Sequence, residues 1–413
     1  MGTASGIGTG VLWLAAAGLS LAACGDDGSG PDAADTTGAS SGASDGTSAP
    51  STTDAPPATS AATADSGDST GPGVPPDDDS STGEPPVEGE PVFVALGDGG
   101  WIATSCDRGA SWTHLQMSDV LGDHTEWTAF GGVTGGPEGF VAGFGWGAPG
   151  HLLFSANGVD WSELPARAFQ IDGMTAGYDS WTAAVAHTGS QYLAFASTRW
   201  GSTDGQSWTP SGVELPPGSD QIRQLRGFPA TGVLVAALES QAGNGHPVGN
   251  FIAVSDDDGV TWTEGPGYDP ACGNGVQHYG DIEMSGDTIV VSASATCRST
   301  DRGDSWGPVT TAWDGQGDTQ DLFVADGTFW AIVGSRIYQS EDGDSWSEVV
   351  DTGVDLKAGA SADGAFAAVS GAGDQFLYST DGASWDAATL DWTPDGQTWV
   401  RDFAVQVQLG GCG

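Results

Sequence analysis

Any chemistry in this chain has to be built from an unusual stock of side chains. It holds 55 Asp and Glu against 10 Lys and Arg, for a formal charge of −45, with six His and 17 Trp. Carboxylates are so common that the acid pair of an ordinary glycoside hydrolase cannot be singled out by inventory. His114, His124, His151, His187, His246 and His278 show no short ligand spacing; they read as loop or surface residues, and neither metal nor cofactor is expected. No Ser-His-Asp order, phosphate loop or dinucleotide fingerprint is present. What stands out is three segments in which aromatics sit among polar groups. Gly143–His151 carries Phe144, Trp146 and His151; Ser197–Trp200 carries Arg199 and Trp200; the long polar run Glu239–Gly249 carries His246. Exposed aromatics beside polar loop groups suit carbohydrate or protein recognition, so these six are the candidate ligand-contact residues. Simple packing of Trp146 and Trp200 over the fold is the alternative. The negative charge argues against nucleic acid and against a basic membrane-binding face.

Such segments need a scaffold, and the chain writes one phrase seven times. The copies end at Trp112, Trp161, Trp208, Trp262, Trp306, Trp346 and Trp385, in steps of 49, 47, 54, 44, 40 and 39 residues. Ser202-Thr-Asp-Gly-Gln-Ser-Trp208 is typical of the short form and Ser299-Thr-Asp-Arg-Gly-Asp-Ser-Trp306 of the long one. A repeat of this length is one supersecondary unit that needs neighbours to bury it, and a four-stranded propeller blade fits it. Strands can be read outward from each motif. An apolar run such as Val233–Leu238 or Phe329–Val333, buried on both faces, is strand B. A strand A precedes it through a tight turn such as Asp326-Gly327, strand C leads into the motif, and Trp opens strand D. Asp accepts backbone N–H groups in a tight turn, Gly supplies positive φ, and Trp packs inside the blade. Asp107, Asn157, Asp204, Asp258, Asp301, Asp342 and Asp381 are therefore read as structural turn residues. None carries the loop spacing or terminal Glu of an EF-hand.

The phrase Ser-x-Asp-x-Gly-x-Thr-Trp resembles the Asp-box, or bacterial neuraminidase repeat, over about Pro91 to Gly413. The resemblance implies an all-β fold, a seven-bladed β-propeller of four-stranded antiparallel blades, with the Asp-boxes on the face away from any active site. It says little about activity, because Asp-boxes occur in sialidases, glucan hydrolases, sortilin-type receptors and a photosystem II assembly factor. The sialidase constellation is missing: there is no Arg-Ile-Pro, Arg108 and Arg302 lie inside Asp-boxes, and Arg223, Arg226 and Arg401 do not match the family motif one by one. The six tyrosines offer no placed Tyr–Glu pair.

Blade one begins at its strand B, and the chain ends in the alternating segment Thr398–Gln408, so the tail is expected to insert as strand A and close the ring. Thr393–Trp399 imitates an eighth Asp-box but leaves no room for a blade and reads as a turn. Besides Cys24, four cysteines allow three pairings. On this strand map Cys272 and Cys297 lie on one face, and Cys106 and Cys412 on the Asp-box face. A strand of about five residues keeps the faces roughly 17 Å apart. The expected bonds are Cys272–Cys297 and Cys106–Cys412, the second latching the ring.

Residues 1–24 read as a signal peptide whose Leu21-Ala-Ala-Cys24 resembles a bacterial lipobox, with Cys24 as the lipidation site. Residues 25–90, rich in Gly, Ser, Thr, Asp and Pro, read as a disordered tether. The expectation is a monomer anchored to the bacterial cell envelope, outside the cytoplasm, touching membrane through the lipid alone. Residues 91–413 would act as a non-catalytic binding or assembly scaffold for a carbohydrate or protein ligand. The competing expectation is an exported glycoside hydrolase, sialidase-like or glucan-cleaving, working through the face opposite the Asp-boxes.

Overall fold

The computed structural model describes residues 89–117, 132–144, 151–164, 184–195, 199–211, 221–240, 249–264, 281–292, 295–314, 318–394, 400–408 and 412. Their regular structure is β throughout and forms seven sheets. The innermost strands are Val400–Gln408 (blade one), Gly132–Gly136 (two), Ala184–His187 (three), Gln221–Phe228 (four), Asp281–Ser285 (five), Asp321–Ala325 (six) and Leu356–Ala362 (seven). Each lies beside the next around the axis, and blade seven returns to blade one. This is a seven-bladed β-propeller.

Closure occurs as the tail pattern predicts. Val400–Gln408 pairs antiparallel with Glu90–Gly97, from Glu90 opposite Gln408 to Gly97 opposite Val400. A feature the sequence did not suggest is a fifth strand in blade one: Thr389–Leu390 runs parallel to Ser111–Trp112 on the blade's outer edge. Trp392, just beyond it, lies edge-on to Trp101 and Phe376 and tilted against His114.

The apolar runs read as strand B are buried along their length: Phe140–Phe144, Val233–Leu238 and Phe329–Val333 each lie between two blades. Tight Asp-Gly turns join A to B in blades six and seven, with positive φ at Asp326 (48°), Gly327 (81°), Asp363 (48°) and Gly364 (67°). That is the mirror-image turn matching strand twist.

The repeated Ser-x-Asp turn is the same device seven times. Its opening Ser donates to the Asp or Asn side chain: Ser105 to Asp107 at 2.9 Å, Ser202 to Asp204 at 2.9 Å, Ser299 to Asp301 at 2.8 Å. That side chain accepts the backbone N–H two to four residues on, as Asp204 does from Gln206 (2.8 Å) and Ser207 (2.6 Å). These donors, the Ser207 amide first, hold the Asp204 carboxyl well below the usual carboxylate range. In six copies the Trp indole N–H returns to the Gly carbonyl, from 2.8 to 3.2 Å. Trp262 departs from this, its buried indole N–H finding no acceptor. The Gly is fixed twice over. At Gly109 φ is 90°, and a Cβ there would stand 3.0 Å from Tyr378 Cβ of blade seven; at Gly343 φ is 72°, and a Cβ would stand 2.6 Å from Val290 of blade five.

One reading of the boxes needs correction. In the fourth copy Asp257, not Asp258, is the turn residue: it accepts from Ser255 Oγ (2.9 Å), Thr261 N (2.8 Å) and Thr261 Oγ1 (2.7 Å). Three adjacent aspartates hid the register. Asp258 is the extra residue of the long form, like Arg108 and Arg302, and all three are left-handed, with φ of 60°, 62° and 58°. Each reaches toward another blade. Asp258 accepts from Ser190 (3.0 Å) and Gln191 (3.0 Å) of blade three and also from Thr188; Arg108 donates to the Asp363 carbonyl of blade seven (2.5 Å), and Arg302 to Asp256 of blade four (3.0 Å).

Cys106 and Cys412 are bonded, with Cα atoms 5.7 Å apart and 306 residues between them in sequence. Cys297 is also disulfide-bonded and lies within strand C of blade five rather than in a loop; Cys272, its expected partner, lies outside the described residues. The segment assigned as signal, the tether up to residue 88, and most of the 393–399 turn are likewise outside them, while Glu90, assigned to the tether, opens the first strand.

Two stability outcomes follow. Cys412→Ser should lower unfolding free energy in urea melts by about 2–5 kcal/mol, and adding Cys106→Ser should cost little more; an unchanged midpoint would refute the latch. Asp257→Ala, losing three hydrogen bonds of a turn, should cost about 2 kcal/mol. Asp258→Gly should cost clearly less, because glycine relieves the left-handed φ while the inter-blade contacts go. The reverse order would restore Asp258 as the turn residue.

Candidate functional site

The innermost strands of blades four, five, six and one bring six polar side chains together at the axis. Counting back four residues from the A–B turn gives Gln224, Asp281 and Asp321; Asp402 of the closing strand lies at the same level, and Arg226 and Glu283 lie two residues further along. Arg226 reaches in both directions. Its Nε and Nη2 donate to the two oxygens of Asp281 at 3.2 and 3.3 Å, and its Nη1 donates to Asp402 at 3.1 Å. Blades four and one stand across the ring from each other, so the guanidinium crosses the channel. Asp321 lies 3.9 Å from it, and Gln224 also donates to Asp281.

The three aspartates do a second job. Asp281 accepts the Leu322 N–H of blade six (2.9 Å), Asp321 the Gly359 N–H of blade seven (2.6 Å), and Asp402 the Val133 N–H of blade two (2.8 Å). Each carboxylate thus fastens its own blade to the next one in the ring.

Burial and charge separate these acids. Burial resists ionisation of Asp281, but the Arg226 guanidinium more than reverses this and holds its carboxyl low. Asp321 is pushed well above the carboxylate range, by burial first and by the Asp281 charge next. Glu283 keeps some surface toward the channel interior yet is enclosed by the ring. Burial, reinforced by Asp281, raises it to about 8. Arg226 stays charged, because Asp281 and Asp402 outweigh its desolvation.

The residues singled out from the sequence fall elsewhere. Phe144 is fully buried and packs with Phe140 and Leu153 between blades one and two. Trp200 is 5% exposed and sits in the cluster of Phe154, Tyr192 and Leu164. Arg199 is buried and donates to the Asp258 carbonyl, while His151 is buried with Nδ1 2.6 Å from Glu163. His187 is buried as well, and desolvation lowers its pKa, so neither histidine is a surface group. Trp146 and His246 lie outside the described residues. The structure gathers none of the described four at the axis. Sequence reasoning considered Arg226 only against the sialidase motif and missed its acidic partners. The signal was available, since aligning the A–B turns puts Asp281 and Asp321 at one blade position. Among the described residues no His, Cys, Asp and Glu cluster is arranged to hold a metal ion.

Residues 279–398 match the family described as the DUF6242 beta propeller domain. That span runs from blade five to blade seven. No curated protein sequence matches the chain. Similar solved structures include YCF48 bound to D1 peptide, at 17% identity over 74% of this chain and 88% of that one, with TM-score 0.42. The GH74 xyloglucanase from Xanthomonas campestris is 17% identical over 63% of this chain and 45% of that one (TM-score 0.40). A functionally unknown protein from Desulfotomaculum acetoxidans DSM 771 is 9% identical over 76% and 99% (TM-score 0.49).

The axial cluster makes a pH prediction. Glu283 moves from 4.5 to about 8 on folding, so between these values the native state holds a proton that the unfolded chain has released. Stability from this group is therefore lost as pH rises, by about 1.4 kcal/mol per pH unit at most. In urea melts from pH 5 to 9, the difference between the parent and Glu283→Gln should shift against the parent as pH increases and level off above 8. A difference independent of pH would remove Glu283 from the protonated set.

Proposed function

We propose that the chain is a non-catalytic binding or assembly scaffold, monomeric and working outside the cytoplasm. It would hang from a bacterial cell envelope by lipidated Cys24 and the 25–90 tether. The ligand is a carbohydrate or protein met on the face opposite the Asp-boxes. One observation carries the non-catalytic reading: the acids at the axis are committed to the frame. Asp281, Asp321 and Asp402 each accept a neighbouring blade's backbone N–H, and Arg226 covers Asp281 and Asp402. A hydrolytic carboxylate must instead meet its substrate.

The rival reading, an exported glycoside hydrolase, draws on one specific feature. Glu283 is raised to about 8 while Asp281, two residues away, is held low, and acids pushed apart in this way are the usual mark of an acid and its partner. A panel of aryl glycosides, including a sialoside and a β-glucoside, decides between them. The full chain should give no turnover above blank, while a glycan array or pull-down gives saturable retention. Turnover abolished by Glu283→Gln in a folded variant would install the hydrolase instead.

A further inference from the structure

Three of the seven innermost strands carry an extra residue, and in each case that residue is a cation. In blade one Leu96 faces Asp402 and Gly97 faces Val400, leaving Arg401 bulged. In blade four Ile222 faces Leu238 and Gln224 faces Ala237, leaving Arg223. In blade seven Leu356 faces Ser370 and Ala358 faces Val369, leaving Lys357. The described A–B ladders of the other four blades run without a shift. With 10 Lys and Arg in 413 residues, composition does not put a cation at three bulges out of three. All three occur where the strand enters from the preceding blade, at the channel mouth away from the Asp-boxes.

A bulge re-aims a side chain and recurs beside functional sites. Bulges and charges also protect exposed sheet edges from pairing, but here the free edge faces the ring's own axis, where no foreign strand can add. Edge protection therefore explains little.

The side chains sharpen the point. Arg401 donates to Asp98 through Nε (3.0 Å) and Nη2 (2.7 Å), so its charge is matched. Lys357, the sole lysine of the chain, donates to the amide oxygen of Gln320 at 3.3 Å and has no carboxylate in ion-pair range among the described residues. In a protein with 55 acidic side chains that is a marked omission. Lys357 and Arg401 flank one turn: a Cβ on Gly371 would stand 3.6 Å from Lys357 Cβ, and the Gly371 carbonyl accepts the Val400 N–H at 3.0 Å.

The unmatched charge at Lys357 is one unit, which suits one negative group, and the net charge of the whole chain, −45, disfavours a polyanion. The exposed large hydrophobics among the described residues are Val159, Val260 and Val407. Val159 and Val260 lie in Asp-box turns, and Val407 pairs with Pro91 at the far end of its strand. An apolar peptide anchor would meet none of them at the mouth. We propose that the channel mouth between blades seven and one binds the carboxylate of a small, otherwise uncharged, hydrophilic ligand, the chemistry of a single uronic-acid sugar. Lys357 neutralises the carboxylate, and Arg401 borders it. This rests on the binding-scaffold reading and names the ligand class for it.

Ligand-observed NMR titration of the full chain at low ionic strength tests the site, using methyl glucuronoside, methyl glucoside and an acetylated tripeptide with a free C-terminus. The glucuronoside should bind at least tenfold more tightly than the glucoside and weaken in 0.5 M salt. Lys357→Met should remove that preference and Lys357→Arg should keep it, both with parental circular dichroism. Equal binding of acid and neutral sugar, or an unaffected Lys357→Met, overturns the anion site while leaving the scaffold reading intact. Tighter binding of the peptide than of the glucuronoside overturns the sugar assignment. Hydrolysis of the glucuronoside would instead overturn the scaffold reading itself.

Discussion

Every blade of this ring rests on its neighbour through a glycine with no room for a side chain. The Gly of each repeated turn abuts strand B or C of the blade before it, at Gly205 against Phe154, Gly303 against Val254 and Gly109 against Tyr378. Backbone this close to a neighbouring sheet must have its turn held rigidly. The Ser, Asp and, in every copy but the one ending at Trp262, the Trp around the Gly do that, each closing one of the turn's hydrogen bonds. The motif is thus a spacer as much as a turn. Seven equal spacers set the spacing from which the axial contacts follow.

At the inner rim a second set of contacts joins the same blades. Asp281, Asp321 and Asp402 each bond to a backbone amide of the next blade, and Arg226 gathers two of them across the axis. Removing one partner of a buried ion pair leaves an uncompensated charge, which costs more than the pair contributes. The cluster therefore makes the ring intolerant of change at the axis while leaving the channel mouth, one layer out, free to vary.

Blade count, strand order and the closing strand could be read from the sequence because they depend on local repetition: the Trp spacing, the apolar strand B and the alternating tail. Asp258 was misplaced for the same local reason, since three aspartates in a row offer three registers and only the bonds from Thr261 select Asp257. Phe144 and Trp200 looked like loop residues because aromatics followed by glycine and polar groups mark loops, yet Phe144 ends one strand, Trp200 lies near the start of another, and both are buried. The axial acids left a trace in the aligned A–B turns, but their joint meaning arises only when strands far apart in sequence meet at the axis. The bulged cations were illegible because a bulge is a property of a pair of strands.

The Cys106–Cys412 bond has a mechanical consequence. The covalent loop it closes contains six whole blades together with the inner and outer strands of blade one, but strands Glu90–Gly97 and Trp101–Ser105 lie outside it. A pull on the chain ahead of Glu90 is therefore borne first by those two strands, through their ladders to Val400–Gln408 and to Ser111–Gln116. They can be peeled away while the rest remains a tied hoop. Under load this protein would lose two strands of one blade and still keep its circumference.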